Sequence, residues 1–187
     1  MLEELVIEQC SPTMAGLKTG NLFTCPMEEK NELKKSIQHL NEYLVPHGAK
    51  ILPVKFLKDR VLIYMYRPNK LRADLKDKIA EKILSEKSYP TNPAENSEKC
   101  VKELIRRLNT DKTFPHEIGL FLGYPPEDVN GFIKFGARRA KCVGVWKVYG
   151  NEETAKKKFD LYKKCIRLYK NAYRKHNSFD RLVVSCS

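Results

Sequence analysis

Apolar residues recur along much of this chain at spacings of three and four, and short β-rich runs and clusters of turn residues separate those stretches. After an apolar start at Leu2 to Ile7, Ser11-Pro12-Thr13 with Gly16 and Gly20 reads as a loop leading into a strand near 17–24. Pro26, Glu28 and Glu29 open a helix whose Leu33, Ile37, Leu40 and Leu44 share one face, and Pro46-His47-Gly48 closes it. Two β-rich runs, 51–57 and 61–66, flank Lys58-Asp59-Arg60 and predict a hairpin. The second run is apolar throughout, which suits a central strand covered on both faces. Arg67-Pro68-Asn69 then breaks the strand and starts one helix with Leu71, Leu75, Ile79 and Ile83 on its inner side. The next helix is predicted to be capped by Asn92, with Pro93 first inside it and a buried stripe of Val101, Leu104, Ile105 and Leu108.

The stretch from Phe114 to Gly136 predicts two short helices back to back. Pro115 suits the first helical position and Gly123 stops the first helix; Pro125 or Pro126 begins the second, Glu127 and Asp128 fall in its electropositive first turn, and Gly136 ends it. Residues 143–149 read as a strand ended by Gly150-Asn151. The longest helix is predicted over about 152–175, with Ala155, Phe159, Tyr162, Ile166, Tyr169 and Tyr173 as an aromatic seam and a strongly basic back. Arg181 to Ser185 reads as a further edge strand. Strands and helices do not alternate as they would in βαβ units, so the prediction is a single α+β domain over residues 1–187, a small mixed or antiparallel sheet packed by about six helices.

Composition narrows the class. Hydrophobic residues at 42% and charged residues at 31% are globular proportions. No run approaches the length needed to cross a bilayer, and the first residues are acidic where a signal peptide is basic, which predicts a cytoplasmic protein with no membrane partner. Six cysteines, at 10, 25, 100, 142, 165 and 186, show no ligand spacing, so neither a structural metal nor an obligatory disulfide is expected; Cys142 with Cys165 is the pair that helix packing can bring together. The net charge of +12 attracts anions, and most of the basic excess lies after residue 110.

The helical pair at 115–135 has the proportions of a helix-turn-helix. A DNA-reading helix, however, presents arginine, lysine, asparagine or glutamine at its start, and this one presents Pro126, Glu127 and Asp128, which phosphates repel. His116 and Glu117 are the only adjacent imidazole and carboxylate and hence the candidate acid–base residues, although neighbours on a helix point different ways, so Glu117 is expected to serve its own helix terminus while His116 meets another partner. No glycine-rich phosphate loop, zincin motif or nucleophile elbow is present, and no enzyme class or cofactor is implied.

Ser11-Pro12-Thr13-Met14-Ala15-Gly16-Leu17-Lys18, the strand ending in Arg67, the segment Phe-Pro-His-Glu-Ile-Gly-Leu-Phe-Leu-Gly-Tyr-Pro from Phe114, and the run through Trp146-Lys147-Val148-Tyr149-Gly150 together resemble a bacterial family catalogued as a domain of unknown function. The resemblance covers nearly the whole chain, departs at Val145, where a small or sulfur-bearing residue is expected, and implies a small bacterial cytoplasmic protein. Its separate segments imply one cleft in which Lys18, Arg67, His116, Glu117, Trp146, Lys147 and Tyr149 converge on a small anionic, planar ligand, with Trp146 stacking on a ring and the cations meeting the charge. Two other classes remain open: a nucleic-acid-binding module and an adaptor for an acidic protein.

Overall fold

The computed structural model describes residues 2–27 and 30–185, apart from the side chain of Lys30. Glu28 and Glu29, read above as helix-opening residues, and Cys186 lie outside the described residues. The chain forms two compact units, one from residues up to Asn69 together with those from Tyr162 onward, the other from Lys70 to Leu161.

The first unit is built on a three-stranded antiparallel sheet of β1 (Gly20–Pro26), β2 (Lys50–Phe56) and β3 (Arg60–Tyr66), in the order β1-β3-β2. The apolar run at 61–66 is thus the central strand, as its composition predicts. Val61, Ile63 and Met65 on one face join the core, while Tyr64 and Tyr66 on the other are buried and stacked with ring centres 4.8 Å apart. Edge strand β2 tolerates Pro53, and its register shifts between Pro53 and Lys55, the position of a bulge. Helix α2 (Lys30–Leu44) buries Leu33, Ile37, Leu40 and Leu44 as its periodicity requires.

The opening of the chain differs from the expectation. Residues predicted as an apolar start and a loop form helix α1 (Leu2–Met14), with Pro12 inside its last turn. Proline removes one N–H but leaves its carbonyl free, and here that oxygen accepts from Leu17 N and Lys18 N at 2.9 and 3.0 Å. The Ser11 hydroxyl donates to the Ile7 carbonyl, and burial of Val6, Ile7, Cys10 and Met14 holds the helix against the sheet. The strand expected near 17–24 accordingly starts later, at Gly20. Residues 181–185 form no strand; Asp180–Leu182 is a single 3-10 turn that seats Phe179 and Val183 in the core.

The second unit is helical. The helix expected to run on from Pro68 is broken into α3 (Pro68–Asp74) and α4 (Lys78–Glu86), because the Asp77 carboxylate accepts from Ile79 N and Ala80 N and so caps a new helix, leaving Ile79 exposed. Asn92 does not cap the following helix: it sits at φ +50° in a turn whose Asn96 precedes α5 (Ser97–Thr110). The back-to-back pair is present as α6 (Ile118–Phe121), shorter than predicted, and α7 (Pro126–Phe135). The single strand expected at 143–149 is instead a tight two-stranded ribbon of β4 (Cys142–Val143) and β5 (Lys147–Val148), separate from the three-stranded sheet. Its turn places Gly144 and Val145 between the strands, and Gly144 N donates to Trp146 O. Helix α8 (Glu152–His176) follows at the predicted place. The architecture is α+β with antiparallel sheets, as expected, and has eight α-helices among the described residues where about six were predicted.

Candidate functional site

A groove of about 400 Å³ opens in the second unit between α6, α7 and the β4–β5 ribbon. Ile118, Leu122, Val129, Val143 and Val145 supply its aliphatic walls, and Phe114, Val143 and Val145 are exposed at its rim. His116 and Lys147 bring polar chemistry to this apolar surface. Both meet Phe132: the imidazole lies edge-on to that ring with centres 4.9 Å apart, and Lys147 Nζ lies 5.6 Å from the ring centre. The volume and the few polar groups on apolar walls fall in the ordinary range of small-molecule sites.

The groove is held together by Asp128, a residue that the sequence reading placed only as a first-turn acid. Its carboxylate is 3% exposed and accepts three hydrogen bonds of 2.7 Å, from Trp146 Nε1 at one oxygen and from the backbone N–H groups of Tyr149 and Gly150 at the other. One side chain on α7 thereby fixes the exit of the ribbon and the sole tryptophan. The signal that points to it in the sequence is indirect: a buried indole N–H needs an acceptor. These contacts occupy the first turn of α7, the end that a DNA-reading helix would present to bases.

Trp146 is 6% exposed. Tyr124 stacks on it at 5.0 Å and Phe159 meets it edge-to-face at 4.6 Å, so it forms part of the groove wall. Burial raises the pKa of the Tyr124 hydroxyl. Lys147 is half-buried while Trp146 and Val148 are buried, in keeping with the alternation expected of a strand. Tyr149 does not line the groove. Its ring covers Gly131 and its hydroxyl donates to the Gly136 carbonyl, and burial followed by the Asp128 charge raises its pKa.

His116 and Glu117 point apart. Glu117 is 2% exposed and does not cap α6, which corrects the expectation that it serves its own helix terminus. It accepts from Tyr89 Oη at 3.1 Å and lies 3.9 Å from the guanidinium of Arg107, which also sits over the Tyr89 ring. A carboxylate in this position is held by partners on α5 and the 87–89 turn because Pro115 and the turn at 115–117 direct it inward, and the turn leaves His116 facing out. Burial, then the Glu117 charge, raises the Tyr89 pKa.

Lys18 and Arg67 belong to the first unit and are both buried there. Arg67 is 1% exposed; Nε donates to Thr13 O at 2.6 Å and the two terminal nitrogens to Met14, His47 and Val184 carbonyls at 2.5, 2.9 and 2.6 Å. It ties the end of α1, the turn after α2 and the C-terminal segment to β3. Burial lowers the Lys18 pKa to about 8, against an opposing contribution from the neighbouring Cys10, whose own thiol burial pushes up. The groove therefore gathers His116, Trp146 and Lys147 of the expected set and adds Phe132, Tyr124 and Asp128.

Two glycines let the groove form. A Cβ on Gly131 would lie 2.4 Å from Tyr149 Cγ, and one on Gly144 2.2 Å from Phe159 Cε2. Both contacts are closer than packed carbon atoms allow, so Gly131→Ala and Gly144→Ala are each expected to cost about 1–3 kcal/mol by overpacking. Urea denaturation followed by Trp146 fluorescence measures it, and losses below 0.5 kcal/mol for both would contradict the packing.

Among the described residues no group of His, Cys, Asp and Glu side chains could hold a metal ion, and no helix is long and apolar enough to cross a membrane. The five described cysteines are free thiols. These features define an α+β protein with a small antiparallel sheet and an apolar groove flanked by one lysine and one histidine. The model of the family described as "Protein of unknown function (DUF3793)" matches residues 6–183, and the chain belongs to that family. No curated protein and no solved structure matches it.

Proposed function

We propose that this protein binds a small organic anion, planar in its apolar part, in the groove of the second unit. The observation that carries this reading is that Lys147 and His116 both meet Phe132 in a mostly apolar groove, whose one carboxylate, Asp128, is taken up by Trp146, Tyr149 and Gly150. Lysine supplies a positive charge and the imidazole a ring nitrogen for an anionic group, while Ile118, Leu122, Val129 and Val145 shield the body of the ligand from water. Binding, not acid–base catalysis, is the reading supported, because Glu117 faces Tyr89 and Arg107 and so does not orient His116. A nucleic-acid reading of the helical pair is weakened by the engagement of Asp128 at the start of α7. The family resemblance supports a bacterial cytoplasmic setting, with which the free cysteines agree.

A thermal-shift screen of aromatic and aliphatic carboxylates, phosphates and nucleotides tests the proposal. A true ligand at a hundredfold its dissociation constant stabilises the fold by about 2.7 kcal/mol. Lys147→Met is expected to weaken its binding by about tenfold or more, with His116→Ala adding a smaller loss. The reading fails if no compound raises the melting temperature, or if a compound that does so binds both variants as tightly as the parent protein.

A further inference from the structure

The second half of α8 carries a charge pattern found on no other described helix. Between Leu161 and His176 there are six lysines and arginines and no acidic residue. Elsewhere several cations are matched along their own helix: Lys82 with Glu86, Arg106 and Arg107 with Glu103, and, at the start of α8 itself, Lys156 with Glu152 and Lys157 with Glu153. After Tyr162 that matching stops. Lys163, Arg167, Lys170 and Arg174 follow one another at intervals of four, three and four, which puts them in one row about 16 Å long along a shallow depression that also includes Ile166 and Asn171. Glu8 of α1 meets the row, through an ion pair with Lys170.

Like charges three and four apart destabilise a helix, by about 0.2–0.5 kcal/mol per pair. The C-terminal dipole offsets that cost only in the last turn, at Arg174, Lys175 and His176. The rest of the row lacks an internal compensation, and its opposite face is fixed: Tyr162 and Cys165 are buried, and Tyr169 and Tyr173 pack on the core of the first unit. The cations are thus a rigid array presented outward.

We propose that this row binds the phosphate backbone of a nucleic acid, without reading its sequence. The seam tyrosines are turned into the protein, so they do not serve as a stacking platform. For the same reason most of the apolar surface of α8 is turned into the protein, and the two exposed leucines, Leu161 and Leu168, do not make the broad apolar face that insertion into a membrane surface needs. An acidic protein partner would want several apolar or aromatic anchors beside the charges, and the depression offers only half-buried Ile166. A line of phosphates asks only for point charges at regular spacing.

The test is fluorescence anisotropy with the full chain and labelled mixed-sequence oligonucleotides, single-stranded and duplex, from 50 to 200 mM salt. Three to four phosphate contacts give a log–log salt slope of about −2 to −4, and so an affinity falling roughly 16- to 250-fold over that range. Lys163→Glu with Arg167→Glu is expected to weaken binding at least tenfold, whereas Lys34→Glu with Lys35→Glu, the same charge change on exposed positions of α2, should cost much less. Glu8→Gln, which frees Lys170 from its carboxylate, should tighten binding, a gain that misfolding would not produce. The proposal is overturned if no oligonucleotide binds at 50 mM salt, if both charge-reversal pairs weaken binding equally, or if polyglutamate or anionic vesicles bind as well as the oligonucleotides do. None of these outcomes depends on the groove at His116 and Lys147.

Discussion

Asp128→Ala is expected to open the groove, and Asp128→Asn to weaken it by a smaller but still measurable amount. The native carboxylate accepts at both oxygens, one from the Trp146 indole and the other from two backbone N–H groups. An asparagine has one acceptor and one donor end, so whichever way the amide turns, its NH₂ faces an N–H group and cannot accept from it. Turned one way it strands the indole; turned the other it strands Tyr149 N and Gly150 N. Hydrogen bonds to a charged group contribute about 1.5–3 kcal/mol each, and the loss of a shared buried acceptor is not additive, so the expected destabilisation of the second unit is about 3–5 kcal/mol for alanine and about 1.5–3 kcal/mol for asparagine, which in its better orientation strands the indole alone. Trp146 reports it directly: its emission should shift to longer wavelength and its urea midpoint should fall, with any groove ligand lost in parallel. A cost below 1 kcal/mol for alanine would show that the carboxylate does not hold the ribbon.

Arg67→Met should be the most damaging single change in the first unit. Methionine retains much of the apolar stem and removes the guanidinium that donates to Thr13, Met14, His47 and Val184 carbonyls. Three segments distant in the chain then lose their common donor inside a site closed to water, a change expected to cost about 3–5 kcal/mol. Arg67→Lys should recover only a small part of this, because an ammonium cannot reproduce the planar fork that reaches several carbonyls at once. Hydrogen exchange of β3 amides and of residues near Met14 and Val184 measures the effect locally. If Arg67→Met left that protection intact, the residue would be free for another role, and its place as the hub of the first unit would be wrong.

Arg67 illustrates why a candidate chosen from sequence need not be a ligand contact. A cation ending an apolar strand looks the same in one dimension whether it faces an anion or a set of backbone carbonyls. Here the carbonyls at the end of α1 and before the C-terminus come from positions 13, 14 and 184, and nothing in local spacing couples those positions to 67. The same holds for Glu117. Its adjacency to His116 is visible in the sequence, whereas its partners Tyr89 and Arg107 lie 28 and 10 positions earlier.

What the residues determined by themselves is what depends on neighbours a few positions away. The apolar faces of α2 and α8, the hairpin of β2 and β3 with β3 in the centre, the stops at Gly123 and Gly136 and the divergence of His116 from Glu117 all follow from period and turn chemistry. Local signals misled where tertiary burial outweighed them: Pro12 reads as a loop, but the packing of Val6, Cys10 and Met14 keeps α1 helical around it, and Asp77 reads as one more polar residue until its cap divides α3 from α4. Only the folded chain decided the groove. Asp128 and Trp146 are 18 positions apart, Gly131 is matched to Tyr149 and Gly144 to Phe159, and each pairing is a fit of shape or of donor to acceptor between segments whose separation in sequence carries no period. Such contacts are set by where whole elements pack, and local propensity does not contain that information.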